Sequence, residues 1–487
     1  MKKTFSMLAL TGLLALPGAG EAASLESEIA DLKRQLAEQQ AQLDALDQTV
    51  WHDIGTRFHW SGDFRSRYDY YSRDRYTADN HNATVTEKND SLMTNRLRLN
   101  MYARALDNVE FVGRLAMFKA WGMQNAPADE AGFFGGNPAM DGNSGRRVDD
   151  NKLLVDRAIV NWNNIADTNF WFSIGRRPTT DGPPSQLRLN EDRRLATPVS
   201  YMDWPFDGLT VGYAYDRLFN FLDLPGRVRF CYGRGFEAGL GSNTIKDTDF
   251  MGISWDIHNQ GDRFVYLQSY IALDVFNYPD LSDGLINVEM AGDPEDPTDN
   301  GPMGPRDNIG DIYHTSALYM DKVQSVNYFI AGGWSRTDPN QNGMFNDPMA
   351  SAKNTSSENG YSIYVGSRYD IPKSQFKVGL EYNYGSKYWI GMSPGHDEIY
   401  ASKLATRGHV YEIYGIYDIP GRQVSPLGNA FIRVGYQHYR YNYTGSLDWN
   451  VKPYDIDSAA DRQQAAMLGL LMAEKADQVY VTFEVKF

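Results

Sequence analysis

Hydrophobic and polar residues alternate through most of the chain after residue 57. The clearest runs end at Tyr70, Ala105, Tyr384 and Phe487, and in each an apolar side chain occupies every second position. A period of two over roughly eight to eleven residues predicts β-strands with one face in an apolar medium and the other in a polar one. We predict about sixteen strands, beginning near residues 58, 94, 109, 155, 169, 208, 226, 248, 263, 309, 327, 360, 375, 407, 430 and 478.

The connections between these strands alternate in length. Short connections lie at 106–108, 163–168, 258–262, 321–326 and 372–374, and long ones at 71–93, 122–152, 176–207, 277–308, 337–359, 385–406 and 443–476. An even set of antiparallel strands with short turns at one end and long loops at the other is typical of an outer-membrane barrel. A soluble β-sandwich also alternates, but it has no reason to separate its loops by length. We therefore predict an all-β protein, an antiparallel transmembrane β-barrel of about 16 strands.

A different pattern precedes the strands. Lys2 and Lys3 are followed by an apolar run and then by small residues, which predicts a secretory signal peptide. The apolar run is about ten residues long, too short to cross a bilayer as a helix. The predicted divisions are a signal peptide at 1–23, a coiled-coil helix at 24–50, a linker at 51–57 and an outer-membrane β-barrel at 58–487.

The segment at 24–50 has a heptad pattern. Its core positions are Leu25, Ile29, Leu32, Leu36, Gln39, Leu43, Leu46 and Val50, spaced alternately by four and three residues. Such spacing predicts a coiled-coil seam, and a polar residue such as Gln39 can fix its register. The alternative is a single amphipathic helix that packs against another part of the protein. Because a short isolated helix is marginal in water, we favour self-association in the periplasm.

Composition excludes several other classes. The 487 residues carry a formal charge of −15, so a basic surface for nucleic acid is not expected. A mean hydropathy of −0.51 is too polar for a bundle of transmembrane helices, and 31 Tyr, 23 Phe and 10 Trp are too many aromatic residues for a disordered chain. The single cysteine, Cys231, excludes internal disulfides, cysteine zinc sites and C-x-x-C-H haem attachment.

The chain end and two internal motifs carry a family resemblance. Phe483, Val485 and Phe487, at alternate positions, resemble the C-terminal signal by which bacterial barrel proteins are recognised for assembly. With the signal peptide, the coiled coil, WSGDFRSRY at 60–68 and GRRPTTDGPP at 175–184, the chain resembles an uncharacterised family of porin-like outer-membrane barrels of Gram-negative bacteria. A looser resemblance is to the trimeric phosphate-selective porins, which also carry a coiled coil before the barrel. The resemblance implies a porin.

A barrel of about sixteen strands is wide enough for an aqueous channel, and its early strands are rich in inward arginine. The predicted pore-lining residues are Arg65, Arg67, Arg96, Arg98, Arg104, Arg114, Arg157, Arg227 and Arg229. Inward acids near them are fewer, chiefly Asp63, Asp69 and Glu110. Because rings of arginine favour anions in a pore, we expect an anion preference. The alternative is that these arginines pair with acids, or with lipopolysaccharide phosphates near the rim, and hold the wall together.

The long connection at 176–207 is the candidate constriction. In general porins the corresponding loop folds inward, and by that resemblance this one is expected to narrow the channel. Its charged residues are Arg176, Arg177, Asp181, Arg188, Glu191, Asp192, Arg193 and Arg194. Opposed charges across a constriction select permeants by charge and dipole. The alternative is an external loop closed by salt bridges.

Other chemistry is weakly indicated. The acidic run 293–301 could bind Ca²⁺, but its spacing departs from an EF-hand and a solvated acidic loop is the better interpretation, so we expect no metal and no cofactor. The eight histidines lie outside any G-x-S-x-G or H-E-x-x-H motif, so we expect no catalytic residue. His314 and His409 fall in predicted strands, where a hydrogen bond in the lumen is the expected role.

The sequence therefore favours a porin for passive diffusion of small hydrophilic solutes. The alternatives are a sheath or scaffold for an electron-transfer or envelope partner and, less favoured, a barrel enzyme. The expected location is the bacterial outer membrane, with the N-terminal helix in the periplasm. The expected partners are outer-membrane lipids and lipopolysaccharide, the barrel-assembly machinery and further copies of the chain, with a homotrimer favoured and no nucleic acid.

Overall fold

The computed structural model shows a closed antiparallel β-barrel of sixteen strands. The residues that it describes are Lys33 and the ranges 58–77, 80–122, 151–177, 182–191, 201–202, 206–217, 224–237, 245–277, 307–393, 401–425, 428–468, 470 and 472–487. The predicted signal peptide, the coiled-coil core residues and the linker lie outside the described residues.

The strands range in length from eight residues in β5 to 23 in β2. They are β1 (Phe58–Tyr76), β2 (Thr84–Leu106), β3 (Val109–Ala120), β4 (Leu154–Trp162), β5 (Phe170–Arg177), β6 (Phe206–Tyr215), β7 (Gly226–Phe236), β8 (Thr248–Gln260), β9 (Arg263–Phe276), β10 (Asn308–Val323), β11 (Val326–Pro339), β12 (Asn359–Asp370), β13 (Phe376–Gly385), β14 (Gly408–Asp418), β15 (Asn429–Tyr441) and β16 (Ala473–Lys486). A short 3₁₀ turn, Ile165–Asp167, joins β4 to β5.

The barrel closes through its first and last strands. Each strand pairs with its neighbours in the chain, and β1 also pairs antiparallel with β16, from Asp63 opposite Lys486 to Arg75 opposite Ala473. Closure leaves the sheet without an unpaired edge. The predicted fold class is confirmed for the barrel, in strand number and in direction.

Side chains alternate between two environments, as the sequence predicts. Leu380, Ile413 and Val434 are on the outer face and are 55%, 48% and 48% exposed. The residues next to them along each strand point inward. Glu381, which follows Leu380, and Glu412, which precedes Ile413, are buried. The outer face is therefore apolar and exposed, whereas the inner face is polar and enclosed.

Part of the inner face is filled by apolar side chains from the connecting segments. Leu187, Tyr201 and Trp389, all outside the strands, pack against inward residues of β9 to β12 such as Tyr266 and Phe329. The Trp389 ring lies edge-on to the Tyr201 ring, with 5.4 Å between their centroids. Connections at the outer end of the barrel therefore fold into it and form an apolar core on one side.

Two predicted boundaries differ from the structure. β2 begins at Thr84, ten residues before the expected position, so the first long connection shrinks to 77–83. β16 begins at Ala473 rather than near 478. These strand ends carry polar side chains on both faces, and Glu87 pairs with Arg73 and Arg75 at 2.5 Å. These strand ends were missed because the apolar–polar alternation is absent there and ion pairs connect the neighbouring strands instead.

The helix of the last connection is shorter than its composition suggests. The run 459–476 is rich in helix formers, but α1 covers only Ala459–Met467. Ser458 caps it by accepting a hydrogen bond from the Asp461 amide at 3.2 Å. Ala465 packs against Tyr454 and Ile456 of the same connection. Within the described part of the chain, no helix has the length and apolarity needed to cross a membrane.

Inward glycines make room for aromatic rings on neighbouring strands. A Cβ atom on Gly379 would lie 2.1 Å from Cζ of Tyr414, and one on Gly435 would lie 2.2 Å from Cζ of Tyr480. Glycine is required at both positions because the ring occupies the space of a side chain. Each ring thereby covers the backbone of the next strand.

We expect Gly379→Ala to lower the free energy of unfolding by about 1–3 kcal/mol, because the Tyr414 ring must move. Gly415→Ala on β14 is the control, since its Cβ would meet only the Lys377 carbonyl oxygen, at 4.0 Å. Urea unfolding of the two variants, reconstituted in lipid vesicles, measures the difference. Equal stability of the two would contradict the packing described here.

Candidate functional site

The lumen is crossed by segment 182–191, which belongs to the connection between β5 and β6. In a sixteen-strand barrel these strands lie opposite β13 and β14. The segment nevertheless reaches that far wall, where the Asn190 side chain donates to Asp418 at 2.7 Å and accepts from Lys377 at 2.6 Å. Its backbone is also bound, since Arg433 donates to the Arg188 carbonyl at 2.7 Å. The segment therefore spans the barrel rather than lying against its own strands.

Residues 182–190 of this segment are buried. Leu187 and Leu189 supply apolar contacts, and Leu187 belongs to the inner core with Tyr266. The Leu187 carbonyl accepts a hydrogen bond from Arg368 of β12 at 2.7 Å. The segment is thus fixed by both packing and hydrogen bonds inside the barrel, which is where the constriction loop was expected.

Two predicted constriction residues make ion pairs with the part of the wall that runs from β14 through β16 to β2. Arg188 lies 3.4 Å from Glu412 of β14. Glu191 lies 3.5 Å from Arg98 of β2 and 3.2 Å from Lys486 of β16. Charges of both signs therefore link segment 182–191 to strands on either side.

The remaining constriction candidates divide into three groups. Arg177 points inward and donates to Thr210 at 2.7 Å. Arg176 is on the outer face instead, where it donates to the Val155 carbonyl at 3.0 Å and lies 3.6 Å from Asp207. The expectation that Arg176 lines the lumen is corrected, because adjacent residues of a strand face opposite sides. Outside the described residues lie Asp181, Asp192, Arg193 and Arg194.

Asp63 is the centre of a buried charge cluster near the β1–β16 seam. It lies 3.1 Å from Arg96 and 2.8 Å from Arg98, two of the predicted pore-lining arginines. Arg96 also lies 3.8 Å from Glu484, which pairs with Arg433 at 3.1 Å. All five side chains are at most 8% exposed. The arginines here alternate with acids and do not form a purely basic ring.

Other predicted arginines also have carboxylate partners. Arg67 pairs with Asp69 at 2.8 Å, Arg114 pairs with Asp156, and Arg227 and Arg229 share Asp256 at 2.5 and 2.8 Å. The expectation that inward acids are few is therefore corrected. Asp156 was not counted among the inward acids. The pairing of β4 with β3 shifts by one residue between Val155 and Arg157, and this bulge turns Asp156 inward.

The three remaining arginines have different surroundings. Arg65 lies over the Phe118 ring, 5.6 Å from its centroid. Arg157 is opposite Arg114 in the pairing of β3 with β4. Arg104 is exposed near the short-turn end and lies 3.3 Å from the Tyr102 hydroxyl.

A second charge cluster lies beside the first, on the neighbouring strands β13 and β14. Glu381 of β13 and Glu412 of β14 are 5% and 3% exposed. Lys403, from the connection before β14, donates to both carboxylates. Tyr364 donates to Glu381 at 2.5 Å and Tyr480 donates to Glu412 at 2.6 Å. Sequence analysis missed this cluster because the lysine is in a loop and single glutamates in strands carry no local signal.

The two strand histidines lie on opposite faces. His314 points inward, is 0% exposed and stacks on Tyr270 with 4.9 Å between ring centroids. Among the described residues, neither of its ring nitrogens has a hydrogen-bond partner. His409 is on the outer face, where its Nδ1 atom lies 2.9 Å from the Tyr382 hydroxyl. The lumen hydrogen bonds expected for these residues are therefore not seen.

The connection between β15 and β16 also folds inward at the outer end of the barrel. Trp449 is buried and donates to the Phe276 carbonyl at 2.7 Å. Asp448 beside it accepts hydrogen bonds from the amides of Asn450 and Val451 at 2.7 and 3.1 Å. Burial raises the pKa of Asp448 to about 6, against the opposing effect of the nearby Arg407 charge and these hydrogen bonds.

No group of three or more histidine, cysteine or acidic side chains in the described ranges is arranged to hold a metal ion. Most of the acidic connection at 277–308 lies beyond those ranges, because residues 278–306 are not described. The lumen therefore has two neighbouring clusters of paired charges on one side, and a charged segment that crosses to them from β5 and β6.

The fold and its interior define a closed sixteen-strand antiparallel β-barrel with inward-folded connections. Residues 86–487 match the family described as "Protein of unknown function (DUF3373)", and the chain belongs to this family. No curated protein matches the sequence.

Several solved outer-membrane barrels are similar in architecture. OmpT of Vibrio cholerae, folded in vitro, is 12% identical with a TM-score of 0.41, and the match covers 88% of this chain and 97% of OmpT. A trimer form of that protein is 11% identical with a TM-score of 0.39, covering 88% and 99%. Salmonella typhi OmpF in complex with daunomycin is 10% identical with a TM-score of 0.42, covering 88% and 97%. No residue role is carried over from them.

The raised pKa of Asp448 predicts a pH dependence. Since its pKa of about 6 in the fold exceeds the ordinary 3.8, the folded state binds the proton more tightly, and its contribution to stability is lost as pH rises from about 4 to 6. The loss is about 2–3 kcal/mol. We expect Asp448→Asn to remove this part of the pH dependence, so the variant gains stability over the native chain as pH rises. Thermal unfolding of both proteins between pH 4 and 7 measures the difference in their stability. A difference that does not change with pH would contradict the raised pKa of Asp448.

Proposed function

We propose that the protein is an outer-membrane channel that passes small hydrophilic solutes through a narrow, charged lumen. The observation that carries the proposal is segment 182–191, which crosses a polar barrel interior from β5 and β6 and makes ion pairs of both signs with the far wall, on β14, β16 and β2. A barrel that served only as a scaffold would not need a buried charged segment across its middle. A passage lined by fixed charges of both signs can select solutes by charge and dipole.

The outer face supports the location. Exposed apolar side chains such as Val378, Ile413 and Phe483 cover strands whose backbone groups are all paired around the barrel. Only a closed barrel or a helix satisfies its own backbone inside hydrocarbon. We therefore place the barrel among outer-membrane lipids, with lipopolysaccharide at the long-loop end and the N-terminal helix in the periplasm.

The close packing of the interior favours a selective passage over a wide general pore. Arg65 and Arg114 on the wall are only 1% and 2% exposed, although both point into the lumen. We propose permeation without a chemical reaction, so no catalytic residue is assigned. A barrel that acts as a sheath or scaffold is the alternative, and it predicts no conductance.

Assembly follows from the two ends of the barrel sequence. Phe483, Val485 and Phe487 alternate on the outer face, and the Phe487 amide donates to the Gly62 carbonyl at 2.9 Å. We propose that these residues are the signal read by the barrel-assembly machinery. We also propose that the coiled-coil segment holds the chain as a homo-oligomer, with a trimer favoured.

The first test opens the constriction. We expect Arg188→Ala/Glu191→Ala to raise single-channel conductance in planar bilayers severalfold, because the three ion pairs of segment 182–191 with the wall are lost. Arg176→Ala is the matched control, since Arg176 is at the end of β5, just before this connection, but faces outward. Conductance that is unchanged in the double variant, or absent from the native protein, would count against the channel.

The second test concerns the anion preference expected from the arginines. Because Asp63 is shared by Arg96 and Arg98, Asp63→Asn removes one negative charge beside two positive ones. We expect the reversal potential in a salt gradient to shift toward anions in this variant. Asp207→Asn is the control, as its side chain is 67% exposed beside the outward Arg176. An unchanged reversal potential would show that these arginines do not face the permeating ions.

A further inference from the structure

Two carboxylates stand side by side on the inner wall. Glu381 and Glu412 are direct partners in the pairing of β13 with β14. They point into the barrel and are nearly inaccessible to water. Two ionised carboxylates on directly paired residues repel each other unless a cation lies between them. The strands alone therefore create a place that requires a positive charge.

Positive charge is supplied by connecting segments and not by the wall: Arg188 of segment 182–191 lies 3.4 Å from Glu412, whereas Lys403 contacts both carboxylates. Lys403 lies in segment 401–407, and its Nζ atom donates to Glu381 and, at 2.5 Å, to Glu412. The same ammonium group lies 5.2 Å from the centroid of the Tyr364 ring. Carboxylates together with an aromatic face are a common environment for an ammonium ion.

The site has more hydrogen-bonding capacity than Lys403 uses. Oε1 of Glu381 and the hydroxyl of Tyr414 are buried, and neither has a hydrogen-bond partner among the described residues. Buried polar groups are usually satisfied. Polar atoms without a partner, next to a carboxylate that already binds Lys403, indicate a site that can bind a cation with additional N–H donors.

The segment that carries Lys403 is fixed by packing and hydrogen bonds, since Leu404 and Ala405 lie in apolar clusters and Arg407 donates to the Trp389 and Thr444 carbonyls at 3.0 and 3.1 Å. Asn383 donates to the Lys403 carbonyl at 2.7 Å, and Trp389 donates to the Leu404 carbonyl at 2.8 Å. The lysine thus approaches the carboxylates as a ligand would, from a separate segment and with its ammonium group first.

We propose that Glu381, Glu412 and Tyr364 form a binding site for primary ammonium compounds in the lumen, and that Lys403 is its tethered occupant. An entering alkylammonium ion replaces the Lys403 ammonium group between the carboxylates, and the flexible Lys403 side chain moves aside while its backbone stays in place. Passage through the barrel rests on the proposed channel function, whereas binding at this site does not. The wall so described is selective for organic cations.

The experiment removes the tethered ligand and offers a free one. Lys403→Ala leaves the lysine Cβ and removes three methylene groups with the ammonium, which is the composition of propylammonium. We expect propylammonium to bind the purified variant saturably by titration calorimetry and to raise its unfolding temperature by several degrees. The native protein, in which the ion must displace the Lys403 ammonium group, should bind propylammonium at least about tenfold more weakly and show a smaller rise in unfolding temperature.

Three controls isolate the site. Lys403→Ala/Glu381→Gln/Glu412→Gln should bind propylammonium at least about tenfold more weakly, because the charged acceptors are gone. Tetramethylammonium, which has no N–H donor, should not replace propylammonium. Lys452→Ala should show no rescue, because Lys452 also pairs with a carboxylate, Asp347 at 2.7 Å, but both side chains are about 30% exposed.

The outcomes separate the site from the channel. Absence of saturable propylammonium binding to Lys403→Ala, or equal binding to the triple variant, overturns the proposal. If Lys403→Ala does not fold alone, the yield of refolding with propylammonium, compared with tetramethylammonium, is the readout, and equal yields overturn it. Saturable binding in a protein that shows no conductance would retain the site and reject the channel.

Discussion

A charge held away from water needs a counter-charge, and this requirement organises the interior of the barrel. Removing one partner of a buried ion pair leaves the other uncompensated at a cost of about 3–5 kcal/mol. The arginines near the β1–β16 seam therefore come with Asp63 and Glu484. The carboxylates of β13 and β14 come with Lys403 and Arg188. In both places at least one pair joins elements that are distant in the chain, Arg96 with Glu484 and Arg188 with Glu412, so the charges hold the lumen together.

The connecting segments serve this arrangement because they carry the missing charges. Segment 182–191 brings Arg188 to an acidic wall and Glu191 to a basic one. Its apolar residues pack against inward rings at the same time, so the crossing does not depend on ion pairs alone. Inward glycines contribute from the wall, since Tyr414 and Tyr480 can lie flat only where the neighbouring strand has no side chain.

The sequence was sufficient for the barrel because its signal is local. One residue in two faces outward, so strands such as β13 and β16 can be recognised from a few neighbouring positions. The same argument fails where strands pass beyond the apolar band, as at the start of β2, because charge replaces alternation. It also fails at a bulge, as at Asp156, where one extra residue changes which side chains face inward.

The charge partners could not be predicted for another reason. Inward arginines are visible in the sequence as alternate positions, but their partners depend on which strands are adjacent and in what register. Arg96 and Glu484 are near opposite ends of the barrel sequence, and the two side chains meet only because the barrel closes. Lys403 is in a connection with no periodic pattern, so nothing local marks it as the partner of Glu381. The anion preference was expected because the arginine of each ion pair could be recognised in the sequence, whereas most of the carboxylate partners could not.

The uneven strand lengths have a consequence for how the barrel sits among lipids. β4, β5 and β6 have nine, eight and ten residues, whereas β2 has 23. At roughly 3.3 Å per residue and a tilt of about 40°, the short strands rise only about 20–25 Å, close to the height of the apolar band of such barrels. The described residues of these strands do not extend above the acyl chains, so a thickening of the bilayer there leaves a hydrophobic mismatch. A thinner annulus of lipid, or a neighbouring protein in place of lipid, relieves it on this side alone.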